Sequence, residues 1–302
     1  MNGWFGYVLF RVVQSIVLLL PLHVARRAAR LAGVVVFQIF PIRKKATKEH
    51  LRLAFPNADE RFVHQTARAA YVNLMTMLFE LMWTPRLSDD TLRDIIHISN
   101  PELFESAHRR GGGVVLLSGH MGNWEWLSIG AARALGAPFN VIIHPIHNKR
   151  IDALVESYRT AFGNSVTPMG VAVRDIVRTL RNRGVVALLA DQSAPRNALF
   201  VPFFGRYAST YEGPAAFALK TGAALLMGLA IRTADGNYHV ELEEIPTGDL
   251  RGGTDENIRE LTRRHVRMLE ECIRQRPGDW LWQHRRWKHV PSSDSVLVQD
   301  DG

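Results

Sequence analysis

The sequence predicts an α/β domain, built on a mixed and partly parallel sheet flanked by helices and preceded by an N-terminal membrane-anchor helix. Three observations carry this reading. From residue 114 onward, short apolar runs rich in Val, Ile and Leu alternate with segments of helical period. The chain opens on a stretch, Trp4 to Leu22, interrupted mainly by Arg11 and Gln14. The 302 residues are 47% hydrophobic and 22% charged, as in a globular domain with an added apolar segment.

The opening stretch approaches the roughly 20 residues that cross a bilayer as a helix. A second apolar run, Leu31 to Ile42, is too short for a span of its own and suits the interface. Arg43, Lys44, Lys45, Lys48 and Arg52 follow, a cluster that the positive-inside tendency and anionic lipid both place on the cytoplasmic side. Nothing before that cluster resembles a basic leader start with a small-residue cleavage site, so a retained anchor is expected. The expected layout is residues 1–42 as anchor or interfacial segment, 43–290 as the main domain facing the cytoplasm at an inner membrane, and 291–302 as a loose tail.

Residues 53–92 read as helical, with Phe62, Val72, Met75, Leu78, Phe79 and Met82 on a wide apolar face. Strands are expected at Val114 to Leu117, Val141 to Ile143, Val185 to Leu189, Ala224 to Ile231 and Tyr238 to Glu243. Helices are expected at Trp124 to Leu135, Ile151 to Phe162, Val171 to Arg183, Pro214 to Lys220 and Glu256 to Arg274. Phe203 and Phe204 read as core aromatics closing a turn, with lining of an apolar channel as the other use. Arg174, Arg178 and Arg181 form a basic face, either simply solvated or suited to phosphates or an acidic carrier.

A net charge of +8 favours an anionic partner: nucleic acid, membrane surface or phosphorylated substrate. No nucleic-acid motif is present, and the aromatics cluster with the apolar start and the basic C-terminal segment. The single cysteine, Cys272, excludes an internal disulfide and a multi-cysteine zinc site, and its charged helical setting suits an inert thiol.

The chemistry concentrates in GGGVVLLSGHMGNWEW, residues 111–126, where an apolar strand enters a glycine-rich turn that presents His120 just before a helix bearing Glu125. An imidazole there can take a proton from a hydroxyl at neutral pH, and Glu125 can orient it if His120 lies in the turn. A structural histidine is the competing use. Ser118 lacks the glycine two positions before it that a hydrolase nucleophile elbow needs, and His120, His144 and His147 match no common zinc spacing. Asp191 and Gln192 end the strand VVALLA and should reach the same sheet edge.

SGHMGNWE, followed by DQ at 191–192, VPFFG at 201–205 and WLWQHRRWK at 280–288, resembles the lipid A biosynthesis acyltransferase family across nearly the whole chain. Mycobacterial-type mannoside acyltransferases share the pattern. The resemblance implies a single-pass inner-membrane enzyme that faces the cytoplasm and acylates a glycolipid hydroxyl, with an acyl carrier protein thioester, or acyl-CoA, as co-substrate and no cofactor. His120 and Glu125 become the catalytic pair, attacking the thioester without an acyl-enzyme. Arg159 matches a family arginine and is the candidate for charge stabilisation, with a surface ion pair as its other reading. Asn123, Asp191, Gln192 and Arg285 join it as candidate substrate contacts. Ser193 and His144 depart from the usual acidic and arginine residues at their positions, which leaves the acceptor open among a lipid A precursor, another glycolipid and a lysophospholipid. A basic lipid-binding protein without chemistry is the alternative of a different class.

Overall fold

The computed structural model describes residues 2–170 and 173–289. In chain order the elements are α1 (Asn2–Leu19), α2 (Leu22–Ile39), α3 (Lys44–Ala54), α4 (Glu60–Trp83), α5 (Asp89–Ile95), β1 (Ile96–Ile98), α6 (Pro101–Arg109), β2 (Val114–Ser118), α7 (Trp124–Ala134), β3 (Phe139–Ile143), α8 (Lys149–Thr160) and β4 (Ser165–Pro168). There follow α9 (Val173–Arg181), β5 (Val185–Leu189), β6 (Leu199–Phe203), β7 (Arg206–Thr210), α10 (Gly213–Thr221), β8 (Ala224–Gly228), β9 (Ile231–Arg232), β10 (Tyr238–Val240), β11 (Leu242–Glu244) and α11 (Asp255–Gln275).

The main sheet has six strands in the order β11-β8-β2-β5-β3-β4, all parallel except the antiparallel edge strand β11. Its inner strands β8, β2, β5 and β3 are buried on both faces, as parallel strands covered by crossover helices must be. Val115, Leu117, Val186, Leu188, Leu225 and Met227 face one way, toward Ile176 and Leu180 of α9, Ala215 of α10 and Leu261 and Leu269 of α11. Val114, Leu116, Val185 and Leu226 face the other, toward Trp126, Leu127 and Ala131 of α7 and residues of α5 and α6. A three-stranded sheet (β1-β10-β9) and the β6-β7 hairpin complete the described strands.

The expected mixed, partly parallel sheet is present, and several element boundaries differ from expectation. The segment 53–92 is not one helix: α4 starts at Asp59, whose carboxylate accepts the Phe62 N–H, and α5 starts at Ser88, whose hydroxyl accepts the Thr91 N–H. Pro56 and Pro85 stand at the breaks, where a missing N–H and a fixed φ are tolerated. The runs 224–231 and 238–243 each divide between two sheets, because the chain leaves β8 for β9 and then β10 for β11. In the expected helix 171–183, Val173–Arg181 is helical and residues 171 and 172 lie outside the described residues, as does the expected tail.

The spanning anchor is corrected. Among the described residues no helix is long and apolar enough to cross a membrane. Gln14 shows why: it is buried against the body, donating to the Met82 carbonyl at 3.0 Å and to the Tyr158 hydroxyl at 2.5 Å. One side of α1 is therefore a protein-packing face, and only the opposite side, with Trp4, Phe5, Leu9, Val12, Ile16 and Leu19, is exposed. Of the run Leu31 to Ile42, the part to Ile39 is likewise the outer end of the two-sided helix α2, which buries Ala29, Gly33 and Phe37 and exposes Leu31, Val35 and Ile39, and the last three residues lie beyond the helix.

Helices α2 and α4 meet at Gly33, where a Cβ would stand 2.6 Å from the Val72 Cα. Backbone on the far side cannot yield as a flexible side chain would. Gly33→Ala should therefore push the pair apart and cost about 1–3 kcal/mol of overpacking, read as a lowered unfolding midpoint in urea.

Candidate active site

Five parallel strands end at one edge of the sheet, and β2 and β5 deliver His120 and Asp191 to it side by side. The Asp191 carboxylate is buried and accepts three hydrogen bonds. Its Oδ1 lies 2.7 Å from His120 Nδ1, and its Oδ2 accepts the His120 backbone N–H and the Trp280 indole N–H, each at 2.8 Å. Burial alone would raise the Asp191 pKa, but the imidazole's charge and these bonds outweigh it and hold the carboxyl well below the usual carboxylate range. An ionised carboxylate only accepts, so Nδ1 carries a ring proton toward it, which leaves Nε2 as the nitrogen that can exchange a proton. Gln192 holds its amide nitrogen 3.2 Å from that Nε2, and the Trp124 ring meets the imidazole edge to face at 4.9 Å between centroids.

The turn between β2 and α7 is locked from several sides. Gly122 has φ of +60°, and a Cβ there would fall 1.8 Å from the Ala230 carbonyl oxygen, so only glycine fits. Met121 bridges to Trp280, and Leu281 donates its N–H to the His120 carbonyl at 3.0 Å. The aromatic C-terminal segment thus braces the turn from behind.

Glu125, expected to orient the imidazole, turns instead to Arg159. Its two oxygens receive the guanidinium fork at 2.8 and 2.6 Å, both side chains nearly enclosed. Burial works against the Arg159 charge, but Glu125 more than compensates and raises its pKa. The reading of Arg159 as a surface ion pair is corrected to an enclosed one. Arg159 Nη1 remains buried without a hydrogen-bond partner, as does the Ser118 hydroxyl.

Two expected substrate contacts are elsewhere. Asn123 is fully buried away from the cavity. Its Oδ1 caps α7 by accepting the Trp126 N–H at 2.9 Å, and its Nδ2 donates to Glu80 at 2.9 Å. Glu80, which nothing in the sequence singled out, also accepts from Arg26, Arg232 and the Tyr238 hydroxyl at 2.6–3.0 Å. Burial opposes its charge, and the two guanidinium groups restore it, keeping the Glu80 pKa below its usual value. Arg285 is exposed, whereas its neighbour Arg286 is buried. Arg286 grips the Ser209 carbonyl at 2.5 Å and the Thr210 hydroxyl at 2.6 Å, and burial lowers its pKa to about 10. His284 accepts the Ser193 N–H at 2.9 Å and so fixes the chain beyond Gln192. Burial brings its pKa to about 4.

Between α7 and the sheet lies a cavity of about 250 Å³, with His120, Glu125, Arg159, His144 and Gln192 at its mouth. Its depth is apolar, lined by Leu116, Ala131, Leu135, Phe139, Val141 and Ala187. Phe203 and Phe204 are buried in the core behind the site and do not line the cavity. Among the described residues no group of three or more His, Cys, Asp or Glu side chains is placed to hold a metal ion. The Cys272 thiol is pushed up to about 11, chiefly by burial, and is protonated at neutral pH.

His265, on α11, is buried and unprotonated: burial first, and then Arg286, lowers its pKa from 6.5 to about 3. The unfolded chain therefore binds a proton that the folded chain refuses, and stability present above pH 6.5 is lost as the pH falls toward the folded value. This single group should remove about 2 kcal/mol between pH 7 and pH 5. Urea unfolding at the two pH values checks it, with a smaller loss expected for His265→Gln.

The family model for bacterial lipid A biosynthesis acyltransferases matches residues 2–289. The lipid A biosynthesis palmitoleoyltransferase of Escherichia coli K12 is 25% identical over 97% of this chain and 93% of its own. The lipid A biosynthesis lauroyltransferase of the same organism is 25% identical over 95% and 92%. The phosphatidylinositol mannoside acyltransferase of Mycobacterium tuberculosis CDC 1551 is 31% identical over 126 residues, so the chain spans only 40% of the length of that relative. The motifs around His120, Asp191 and Trp280 thus meet at one buried carboxylate within a match that covers every described residue, and the chain belongs to the bacterial lipid A biosynthesis acyltransferase family.

Proposed function

We propose that this protein moves a fatty acyl group from a thioester to a hydroxyl of a glycolipid, with His120 as general base. The observation that carries the reading is the His120 imidazole, its Nδ1 tied to buried Asp191 and its Nε2 turned to the mouth of an apolar cavity. In the proposed reaction Nε2 takes the proton of the acceptor hydroxyl as its oxygen attacks the thioester carbonyl. The oxyanion formed collapses, the C–S bond breaks, and the imidazolium returns its proton to the departing thiolate. Asp191 holds the ring in the required tautomer and stabilises the imidazolium. In this scheme Gln192 gives up its place at Nε2 to the acceptor hydroxyl. Glu125 acts through Arg159, whose unpartnered Nη1 is the group we assign to the developing oxyanion or to a charge on the substrate.

The donor in this proposal is an acyl carrier protein or coenzyme A thioester, and the acceptor is a lipid A precursor. A mannoside lipid or other glycolipid is the second reading, favoured by the mannoside acyltransferase likeness. We place the enzyme at the cytoplasmic face of an inner membrane, lying on it rather than crossing it. The exposed apolar side chains of α1 and α2, with Arg27, Arg30, Arg43 and Lys45 exposed nearby, suit an anionic interface.

Removing the base in His120→Ala should lower the rate by about 100-fold to 10,000-fold in a protein that still folds, and Asp191→Asn should lower it comparably by presenting the wrong tautomer. Mass spectrometry of lipids from cells expressing each variant reads both the acyl chain and its acceptor. Unchanged products from a folded His120→Ala protein refute the assignment.

Flotation of the full chain with vesicles containing phosphatidylglycerol should recover it in the lipid fraction. Replacing Phe5 and Leu9 together with Ser should weaken recovery at least tenfold, since about 0.8 kcal/mol is lost per apolar carbon withdrawn from lipid.

A further inference from the structure

The cavity has a depth that the sheet itself measures. Its wall is built in layers along the face of the sheet that carries the odd-numbered residues of β5. The uppermost layer holds Ser118 and Leu189, which pair in register, with Ile143 beside them. Below it Leu116, Ala187 and Val141 stand level with one another. The third layer pairs Val114, Val185 and Phe139, and of these only Phe139 reaches the cavity, with Leu135 of the α7 end beside it. Space is thus open through two layers and stops at the third.

Ala187 is the reason for the opening. It lies at the middle of β5, the strand flanked on both sides by β2 and β3, where neighbours Val185, Val186 and Leu188 are all buried, yet Ala187 is partly exposed. What it is exposed to is the cavity it lines. A side chain of ordinary core size at this position would fill the middle layer between Leu116 and Val141.

We propose that Ala187, with Phe139 and Leu135 beneath it, sets the length of the acyl chain this protein accepts. The inference rests on the acyl-transfer reading. From the Ser118 layer to Phe139 is four strand residues, about 13 Å, and α7 from Trp124 to Leu135 runs about 16 Å alongside. An extended alkyl chain advances about 1.25 Å per C–C bond. With the reacting carbonyl at His120, above the Ser118 layer, the slot accommodates about 12 to 14 carbons in extended form. One layer of the sheet, about 6.6 Å, corresponds to about five carbons.

The test measures binding and transfer separately on the full-length protein. Thioether analogues of acyl-coenzyme A, from octyl to octadecyl, are titrated calorimetrically, and thiol release from the matching thioesters is followed with a lipid A precursor in detergent. Wild-type affinity should climb about fourfold per methylene and stop climbing at about 12 to 14 carbons. Ala187→Phe should bring that limit down by about five carbons, Ala187→Val by fewer, and Phe139→Ala should extend it by about two to four. Should Ala187→Phe fail to fold, the Val and Phe139→Ala variants decide. Folded variants that keep the wild-type limit, or analogues that do not bind at all, overturn the inference. His120→Ala should bind the series with the same length limit as wild type while releasing thiol at least about 100-fold more slowly. If it releases thiol normally, the role of His120 as base falls, and if the wild type itself binds the series but releases no thiol while the length limit still shifts in the other variants, the transfer reading falls and the chain-length assignment stands.

Discussion

The arrangement depends on one buried anion. Asp191 sits where three parts of the chain converge, and its two oxygens join the end of β5, the turn after β2 and the indole of Trp280. A carboxylate without such partners in that setting would take up a proton rather than stay charged. Its ionisation is therefore a product of the fold, and the fold near it is in turn shaped by the need to satisfy the charge. The imidazole is fixed in direction by that same set of bonds, so the placement of Nε2 at the mouth of the apolar cavity follows from a single electrostatic constraint.

A second ring of contacts holds the first in place. Glu80 grips the amide that caps α7, while Arg286 and His284 hold the backbone around Gln192 from the other side. None of these groups lines the cavity. Each fixes backbone at one of the two loops that meet in the site, in the way outer partners orient the groups that react. The aromatic cluster of Phe203, Phe204, Trp280 and Trp282 packs behind them in edge-to-face pairs, which gives the loops a rigid backing.

The sequence displayed this selectively. The parallel strands were legible because residues buried on both faces form continuous apolar runs, and strand ends pointed to His120 and Asp191 sharing one edge. That those two touch was not legible, since Glu125 is five residues from the histidine and Asp191 is seventy-one away. Local proximity pointed to Glu125 as the ring's partner, and only the register of β2 against β5 brings the distant Asp191 to it. Arg285 and Arg286 show the same limit at its narrowest: adjacent identical side chains, one in solvent and one wholly enclosed, distinguished by nothing but the path of the chain. The edge strand β4 and the β6-β7 hairpin escaped notice because Pro168 and Pro202 interrupt their patterns. The N-terminal helix misled in the opposite sense. Its apolar content suggested a span, whereas Gln14 belongs to a packing face that a composition window averages away.

Arg26 belongs to the helix whose outer surface is greasy, and its guanidinium reaches the same carboxylate that holds Asn123 at the start of α7. Swinging that helix away from the sheet would strip a desolvated anion of one counter-charge, a penalty of several kcal/mol. Helix α2 and the turn bearing His120 are consequently tied to one buried carboxylate. In the proposed seating on a lipid layer, any tilt of α2 would be handed to the slot through that shared carboxylate, so the height of the entrance above the headgroups would follow the helix rather than a hinge.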